Sequence, residues 1–122
     1  MPLAVDLMGL GLAPEQATYL GSNSLTTQAG VGTAQVGAAA IVSNNILATT
    51  AVGQTAFVLP ASAPLEVPYI VTNSTATAAL VFPPSGGTIN AGAADASASI
   101  AQNLARIFIR KSATRWVSFL TA

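Results

Sequence analysis

The chain has 122 residues, enough for one domain with a modest core, and its formal net charge at pH 7 is zero. Only 7% of the residues are charged, against about 25% in an average soluble domain, whereas 52% are hydrophobic. The chain has no cysteine and no histidine, which excludes disulfides, thiolate chemistry and the commonest general base and metal ligand. Because a surface with so few charges promotes association, we expect a homo-oligomer; the alternative is a monomer coated with Ser, Thr, Asn and Gln.

Residues 1–24 differ from the rest of the chain and are predicted to form an N-terminal arm. Pro14 suits the first position of a helix, Glu15 favours its positive end, and Gly21 suits its left-handed stop, so 14–21 predicts a short helix. Two turns are not stable alone, so the large aliphatic residues of the arm must pack on the chain's own β domain or on another protein. We favour another protein, because these residues are out of proportion to the Ala-rich body. The predicted docking residues are Val5, Leu7, Met8, Leu10, Leu12 and Leu20.

After the arm, the small polar residues of 25–32 predict a linker, and 33–122 is predicted to be one β domain. Alternation in 34–42 favours a strand, although its alanines also suit a helix. Further strands are predicted at 46–50 and 55–59, separated by Gly and Asn turns. The central stretch 67–90 predicts a hairpin, because two apolar runs flank the polar turn 73–75 and a Pro/Gly corner ends the second run.

The C-terminal stretch predicts a second hairpin, with strands at 105–111 and 115–120 and a turn at 112–114. Alternation puts Ile107 and Ile109 on one face of the first strand and Phe108 on the other. A weaker strand is predicted at 98–101. Short strands at this spacing predict a small all-β protein, an antiparallel β-sandwich or barrel with an N-terminal arm containing a short helix. Most of its core and intersubunit packing is expected from Val58, Tyr69, Val71, Leu80, Phe82, Ile107, Ile109, Trp116 and Phe119.

The chemistry-bearing residues do not predict an enzyme. The four carboxylates lie in four different segments, and the only lysine, Lys111, has no serine at the spacing of a Ser-Lys pair. We therefore predict no catalytic residues, no metal and no cofactor. Trp116 has two interpretations, a sugar-stacking platform or a core residue, and we favour the core because large aromatic residues mostly serve burial.

All four basic residues lie within ten positions near the C-terminus. Such a cluster suits a solvated hairpin end, polar contacts to an acidic protein partner, or nucleic acid, and we do not expect nucleic acid from so few charges. The start of the chain lacks the basic residues of a signal peptide, and the long uncharged tract 16–65 is too polar for a bilayer span, so no membrane association is expected. The cluster consists of Arg106, Arg110, Lys111 and Arg115.

The stretch 55–120 resembles a β module of tailed-bacteriophage virion proteins. The resemblance lies in the order of VLP at 58–60, YIVTN at 69–73, LVFPPSGGTIN at 80–90, a basic-aromatic strand and a terminal Trp strand. It is most similar to small head decoration (cement) proteins, and less specifically to modules of head fibres and tail fibres. VDLMGLGLAPEQATYLG at 5–21 is also similar to the leading segment of such proteins.

This resemblance implies a non-enzymatic structural protein of the viral capsid. It implies a homo-oligomer, expected to be a homotrimer, that is made in the host cytoplasm, binds the major capsid protein on the capsid exterior and stabilises the shell. The alternative is a head-fibre, tail-fibre or tail-adaptor module with receptor or glycan binding. The chain lacks the coiled coil, collagen-like repeat or large receptor domain of a complete fibre.

Overall fold

A computed structural model describes residues 25–121, which form ten β-strands and contain no helix. The prediction of an all-β protein is confirmed. The predicted helix at 14–21 lies outside the described residues. The strands are β1 Thr26–Ala29, β2 Ala39–Ala40, β3 Asn45–Thr49, β4 Ala56–Val58, β5 Pro68–Asn73, β6 Ala79–Phe82, β7 Thr88–Ile89, β8 Ala98–Ile100, β9 Ala105–Arg110 and β10 Arg115–Thr121.

The strands form two sheets, and the chain passes back and forth between them. The six-stranded sheet has the order β1-β3-β5-β9-β10-β7, and the four-stranded sheet has the order β2-β4-β6-β8. From β1 to β6 each strand returns beside the strand before last and pairs with it in parallel. Thr26 thus pairs with Ile46, and Asn45 pairs with Ile70, so one circuit takes about two dozen residues. This arrangement is a two-sheet β-solenoid, in which each circuit stacks on the last.

The predicted antiparallel sandwich or barrel is therefore wrong in its connections. Parallel pairs outnumber antiparallel pairs, and the predicted hairpin 67–90 does not exist, because β5 and β6 lie in different sheets. The stretch 25–32, predicted to be a linker, contains β1, which pairs with β3 as part of the sheet. The small polar side chains of TTQA are typical of a linker, but in the structure they alternate between half-buried and exposed positions, as in a strand.

Asn73, at the end of β5, explains why the predicted turn redirects the chain instead of reversing it. Its buried side chain donates through Nδ2 to the carbonyl oxygens of Thr77 and Ile100, both at 2.9 Å. Its Oδ1 accepts from the backbone N–H of Thr75 at 3.0 Å and from Thr75 Oγ1 at 2.8 Å. These bonds use the full capacity of a carboxamide and hold a corner between the two sheets.

The parallel stack ends at β5 and β6, because the next strands run the other way. β9 pairs antiparallel with β5, and β8 pairs antiparallel with β6. β10 then folds back on β9 through the turn at 111–114, so the predicted terminal hairpin is confirmed. The short β7 lies beside the start of β10 in parallel, where Trp116 pairs with Ile89.

The side chain of Asp95 anchors the long connection between β7 and β8 by hydrogen bonds. Its Oδ1 accepts hydrogen bonds from the Gly86 backbone N–H at 2.7 Å and from Gln35 Nε2 at 3.0 Å. Gln35 Nε2 also donates at 2.7 Å to the carbonyl of Pro83, the residue after β6. Gln35, between β1 and β2, thus bonds both to the end of β6 and to the connection between β7 and β8. The hydrogen bonds from Gln35 and then from Gly86 lower the pKa of Asp95 below its ordinary value of 3.8.

A single apolar core lies between the two sheets. Trp116, Phe57 and Phe108 are its largest fully buried side chains. The alternation of side chains along each strand decides which residues reach it. The core residues are Ile41, Ile46, Ala48, Phe57, Leu59, Ala63, Val71, Ala79, Val81, Ile89, Ile100, Phe108 and Trp116.

The predicted core residues fall into three groups. Val71 and Trp116 are fully buried, and Tyr69 packs against the core from a half-buried position. Phe119 is 49% exposed, so it does not belong to the core of a single chain. The others lie on the outer faces of their strands and are not part of that core either. Whether these residues pack between subunits stays a prediction. The half-buried residues on the outer faces are Val58, Leu80, Phe82, Ile107 and Ile109.

Candidate functional site

The predicted docking arm cannot be placed, because Val5 to Leu20 lies outside the described residues. Its assignment remains a prediction from sequence. Within residues 25–121 the candidate functional surfaces are the basic residues, the aromatic residues and the outer faces of the sheets.

Two of the four basic residues are tied into the body of the protein. Arg106 and Arg110 flank Phe108 on the inner side of β9 and are half-buried. Arg106 Nη1 donates to Ser118 Oγ at 3.0 Å. Arg110 Nη1 donates at 2.6 Å to the carbonyl of Ala63, in the loop before β5, and Nη2 donates to a hairpin carbonyl at 3.2 Å. These hydrogen bonds tie both guanidinium groups to other segments of the chain.

The other two basic residues lie at the turn of the terminal hairpin. Lys111 Nζ forms a salt bridge with Glu66 Oε2 at 2.8 Å, and both side chains are largely exposed. Arg115 is exposed at the start of β10. Arg106 lies at the far end of β9 from this turn, so the four residues do not make one continuous basic patch. The arrangement gives no support to a nucleic-acid surface, which requires several free cationic side chains.

Trp116 lies in the core, as predicted. Its side chain is fully buried and meets the ring of Tyr69 edge to face, with centroids 6.0 Å apart and planes at 72°. A sugar-binding platform needs an exposed ring face, so the interpretation of Trp116 as a glycan-stacking residue is wrong for this fold.

The least expected surface is the outer face of the six-stranded sheet, formed by the outward side chains of β1, β3, β5, β9 and β10. Cross-strand pairing aligns its apolar residues in two rows. In one row Ile70 pairs with Ile107, which pairs with Phe119. In the next row Pro68 pairs with Ile109, which pairs with Val117. The face is therefore apolar across β5, β9 and β10.

Polar residues lie beside these rows on β1 and β3, and charge is scarce. The outward positions of β1 and β3 are mainly Thr and Asn, including Thr27, Asn45 and Thr49, with Leu47 beside them. Among the outward residues of these five strands whose side chains are described, Arg115 is the one that carries a charge, and it lies at the end of β10. An apolar centre with a polar margin is the usual composition of a protein–protein contact surface.

The two carboxylate side chains among the described residues have different partners. Glu66 forms the salt bridge with Lys111, and Asp95 accepts hydrogen bonds from Gln35 and Gly86. No group of three or more metal-ligating side chains occurs within residues 25–121. The same stretch contains no helix long and apolar enough to cross a bilayer.

These features define the class of the protein as an all-β, two-sheet solenoid closed at its C-terminal end by antiparallel strands. In comparisons with known proteins, no protein-family model, no curated protein and no solved structure matches this chain. Its function must therefore be argued from its own residues.

Sequence reasoning missed the outer face, although one signal for it was present. The strand ARIFIR has aliphatic residues on one side and an aromatic residue between two arginines on the other. The sequence assigns the aliphatic side to core and intersubunit packing together, whereas the structure buries Phe108 and leaves Ile107 and Ile109 half-buried on the outer face. A strand with apolar residues on both sides in a two-layer protein indicates that one side has a second partner.

Proposed function

We propose that this chain is a non-enzymatic structural protein of a tailed-bacteriophage virion, a decoration protein that binds the outer surface of the major capsid shell and stabilises it. The observation that carries the proposal is the resemblance of residues 55–120 to small head decoration proteins. The chain's lack of histidine and cysteine argues for a structural role and against a catalytic one.

The distribution of apolar residues supports this proposal. A decoration protein needs one surface for its own copies and another for the shell. The body has an apolar outer face on the six-stranded sheet, and the sequence carries a separate group of large aliphatic residues between Val5 and Leu20. Apolar burial contributes roughly 25 cal/mol per Å², and an oligomer multiplies this through simultaneous docking of several arms.

The arm is tested by binding to purified heads that lack the decoration protein. Deleting residues 1–21 should leave a folded oligomer that no longer cosediments with heads, because the main shell contacts are assigned to the arm. The double change Leu10→Ser and Leu12→Ser should weaken binding strongly, whereas Glu15→Gln in the same arm should not. Full occupancy by the truncated chain would contradict the assignment to the arm.

The virion location is tested separately by labelling intact particles with antibodies against the chain and imaging them. A regular label over the shell supports the decoration function. A label confined to the tail or to head fibres would instead support the fibre or tail-adaptor alternative, which a stack of β circuits also suits because such stacks extend end to end. Absence of the chain from particles would refute both.

A further inference from the structure

We propose that the outer face of the six-stranded sheet is the contact surface for a second copy of this chain. The inference does not depend on the virion function, since it rests on the body alone. The face carries three aligned strands of apolar residues that a single copy leaves partly in water.

The exposure of these residues is the first argument. Phe119 remains 49% exposed at the end of the row that also contains Ile70 and Ile107. The side chains of Ile109 and Val117 are half-buried in the neighbouring row. The largest contiguous apolar patch on a protein surface is often a contact site, whereas singly scattered apolar residues need no such explanation.

The electrostatics of the face favour an identical partner. A charged partner would lose solvation on this apolar centre without gaining an opposite charge, because the face offers only Arg115 at one end. The partner must therefore present an equally uncharged, flat apolar surface. The same face on another copy meets this requirement, and two such sheets can pack as aligned layers about 10 Å apart.

The area of the face limits how tightly two copies should associate. Five strands spaced about 4.8 Å apart, with strands some 17–20 Å long, give a flat footprint of about 400 Å² per copy. Specific interfaces usually bury more than about 1,000 Å² counted over both partners. The side chains make the accessible area of the face larger than its flat footprint, so the area buried by two copies is close to this lower limit. We therefore expect association that depends on protein concentration.

The test uses the full chain in sedimentation equilibrium over a wide range of concentrations, with Phe119→Lys as the main variant. Because Phe119 is half exposed, lysine should be tolerated in the monomer, and circular dichroism checks the fold. The wild type should exceed the 12.1 kDa monomer mass. The variant should raise the dissociation constant at least about tenfold, because it replaces a half-exposed aromatic contact by a charge that the uncharged partner face does not neutralise.

Two matched variants make the result specific to this face. Val117→Lys, in the neighbouring row, should have the same effect and replaces Phe119→Lys if that variant does not fold. Leu80→Lys puts the same charge on the outer face of the four-stranded sheet and should leave the dissociation constant unchanged. An equal loss of association in Leu80→Lys would overturn the proposal.

Chemical crosslinking gives direct evidence of proximity. The chain has no cysteine, so Ile107→Cys places a single thiol on the face and Ser99→Cys places one on the four-stranded sheet. A short bismaleimide should join two copies through position 107 and not through position 99. A wild type that stays monomeric at every concentration also refutes the proposal. For such a monomeric wild type, loss of head binding in Phe119→Lys would show that the face contacts the shell. Loss of monomer stability alone in Phe119→Lys would show that the face packs against another part of the same chain.

Discussion

Replacing Asn73 by alanine removes the side chain that fixes the corner between the two sheets. The change deletes the Nδ2 group, which donates to the carbonyls of Thr77 and Ile100. It also deletes Oδ1, which accepts hydrogen bonds from the backbone N–H and the hydroxyl of Thr75. The bond to Ile100 joins the end of β5 to β8, so it links the six-stranded sheet to the four-stranded sheet.

The loss can be estimated bond by bond. The Ile100 carbonyl receives its Asn73 bond in the buried interior, so leaving it unsatisfied costs about 2 kcal/mol, and the Thr75 N–H adds about 1 kcal/mol. The Thr77 carbonyl also accepts a bond from Thr50 Oγ1 and should lose little. The total of about 3 kcal/mol is a large fraction of the 5–15 kcal/mol by which domains are stable.

Urea unfolding followed by circular dichroism measures this loss, with the chain concentration held fixed because association contributes to stability. With a slope of about 1.5 kcal/mol per M, the midpoint of Asn73→Ala should fall by about 2 M. Asn45→Ala changes the same residue type on the outer face of β3 and should stay within about 0.5 kcal/mol of the wild type. A midpoint for Asn73→Ala as close to the wild type as that of Asn45→Ala would refute the role given to this corner.

Three further changes test other parts of the structure. Trp116 is the only tryptophan, so its fluorescence should resist acrylamide quenching, and Trp116→Ala should cost about 3–5 kcal/mol in urea unfolding; efficient quenching of the native protein would contradict its burial. Because folding lowers the pKa of Asp95 below 3.8, its contribution to stability is present above pH 3.8 and is lost as the pH falls through the folded pKa, so the midpoint difference between wild type and Asp95→Asn should shrink in acid and not grow. Lys111→Ala should change stability by no more than about 0.5 kcal/mol, since the bridge to Glu66 is exposed, and a larger loss would show that Lys111 has another role.

The local structure of the chain was largely predictable because it depends on neighbouring residues. The β-branched and aromatic runs predicted β5, β6, β9 and β10 within one or two positions, and Pro83 ends the β6 run as expected. The terminal hairpin was predictable for the same reason, since its two alternating strands are joined by a short polar turn.

The connections between strands were not predictable from the same patterns. A polar turn such as 73–75 can reverse a chain within a sheet or carry it to another sheet, and the choice depends on whether Asn73 finds a distant acceptor at Ile100. That contact joins positions 27 residues apart. The loops of successive circuits differ in length. The sequence therefore shows no fixed repeat period that would indicate a solenoid.

The apolar outer face of the six-stranded sheet could not be predicted from the sequence for a related reason. Ile107 and Phe108 are adjacent, and both are large and apolar, so hydrophobicity could not decide which one faces the core. The two flanking arginines suggest that the side with Phe108 faces solvent, whereas both are half-buried and their guanidinium groups donate to Ser118 and Ala63.

The reversal of strand direction after β6 has a consequence for synthesis of the chain. Circuits that stack in sequence order can begin to form as the N-terminal part leaves the ribosome. β5 and β6 acquire their second neighbours only from β9 and β8, so both sheets keep an open hydrogen-bonding edge until nearly the whole chain exists. Open edges invite pairing with other nascent chains, and at high translation rates neighbouring copies are close together. The late strands β9 and β8 thus move the open edges of the two sheets from β5 and β6 to β7 and β8. Between the synthesis of β6 and that of β9, β5 and β6 are themselves open edges for pairing with other chains.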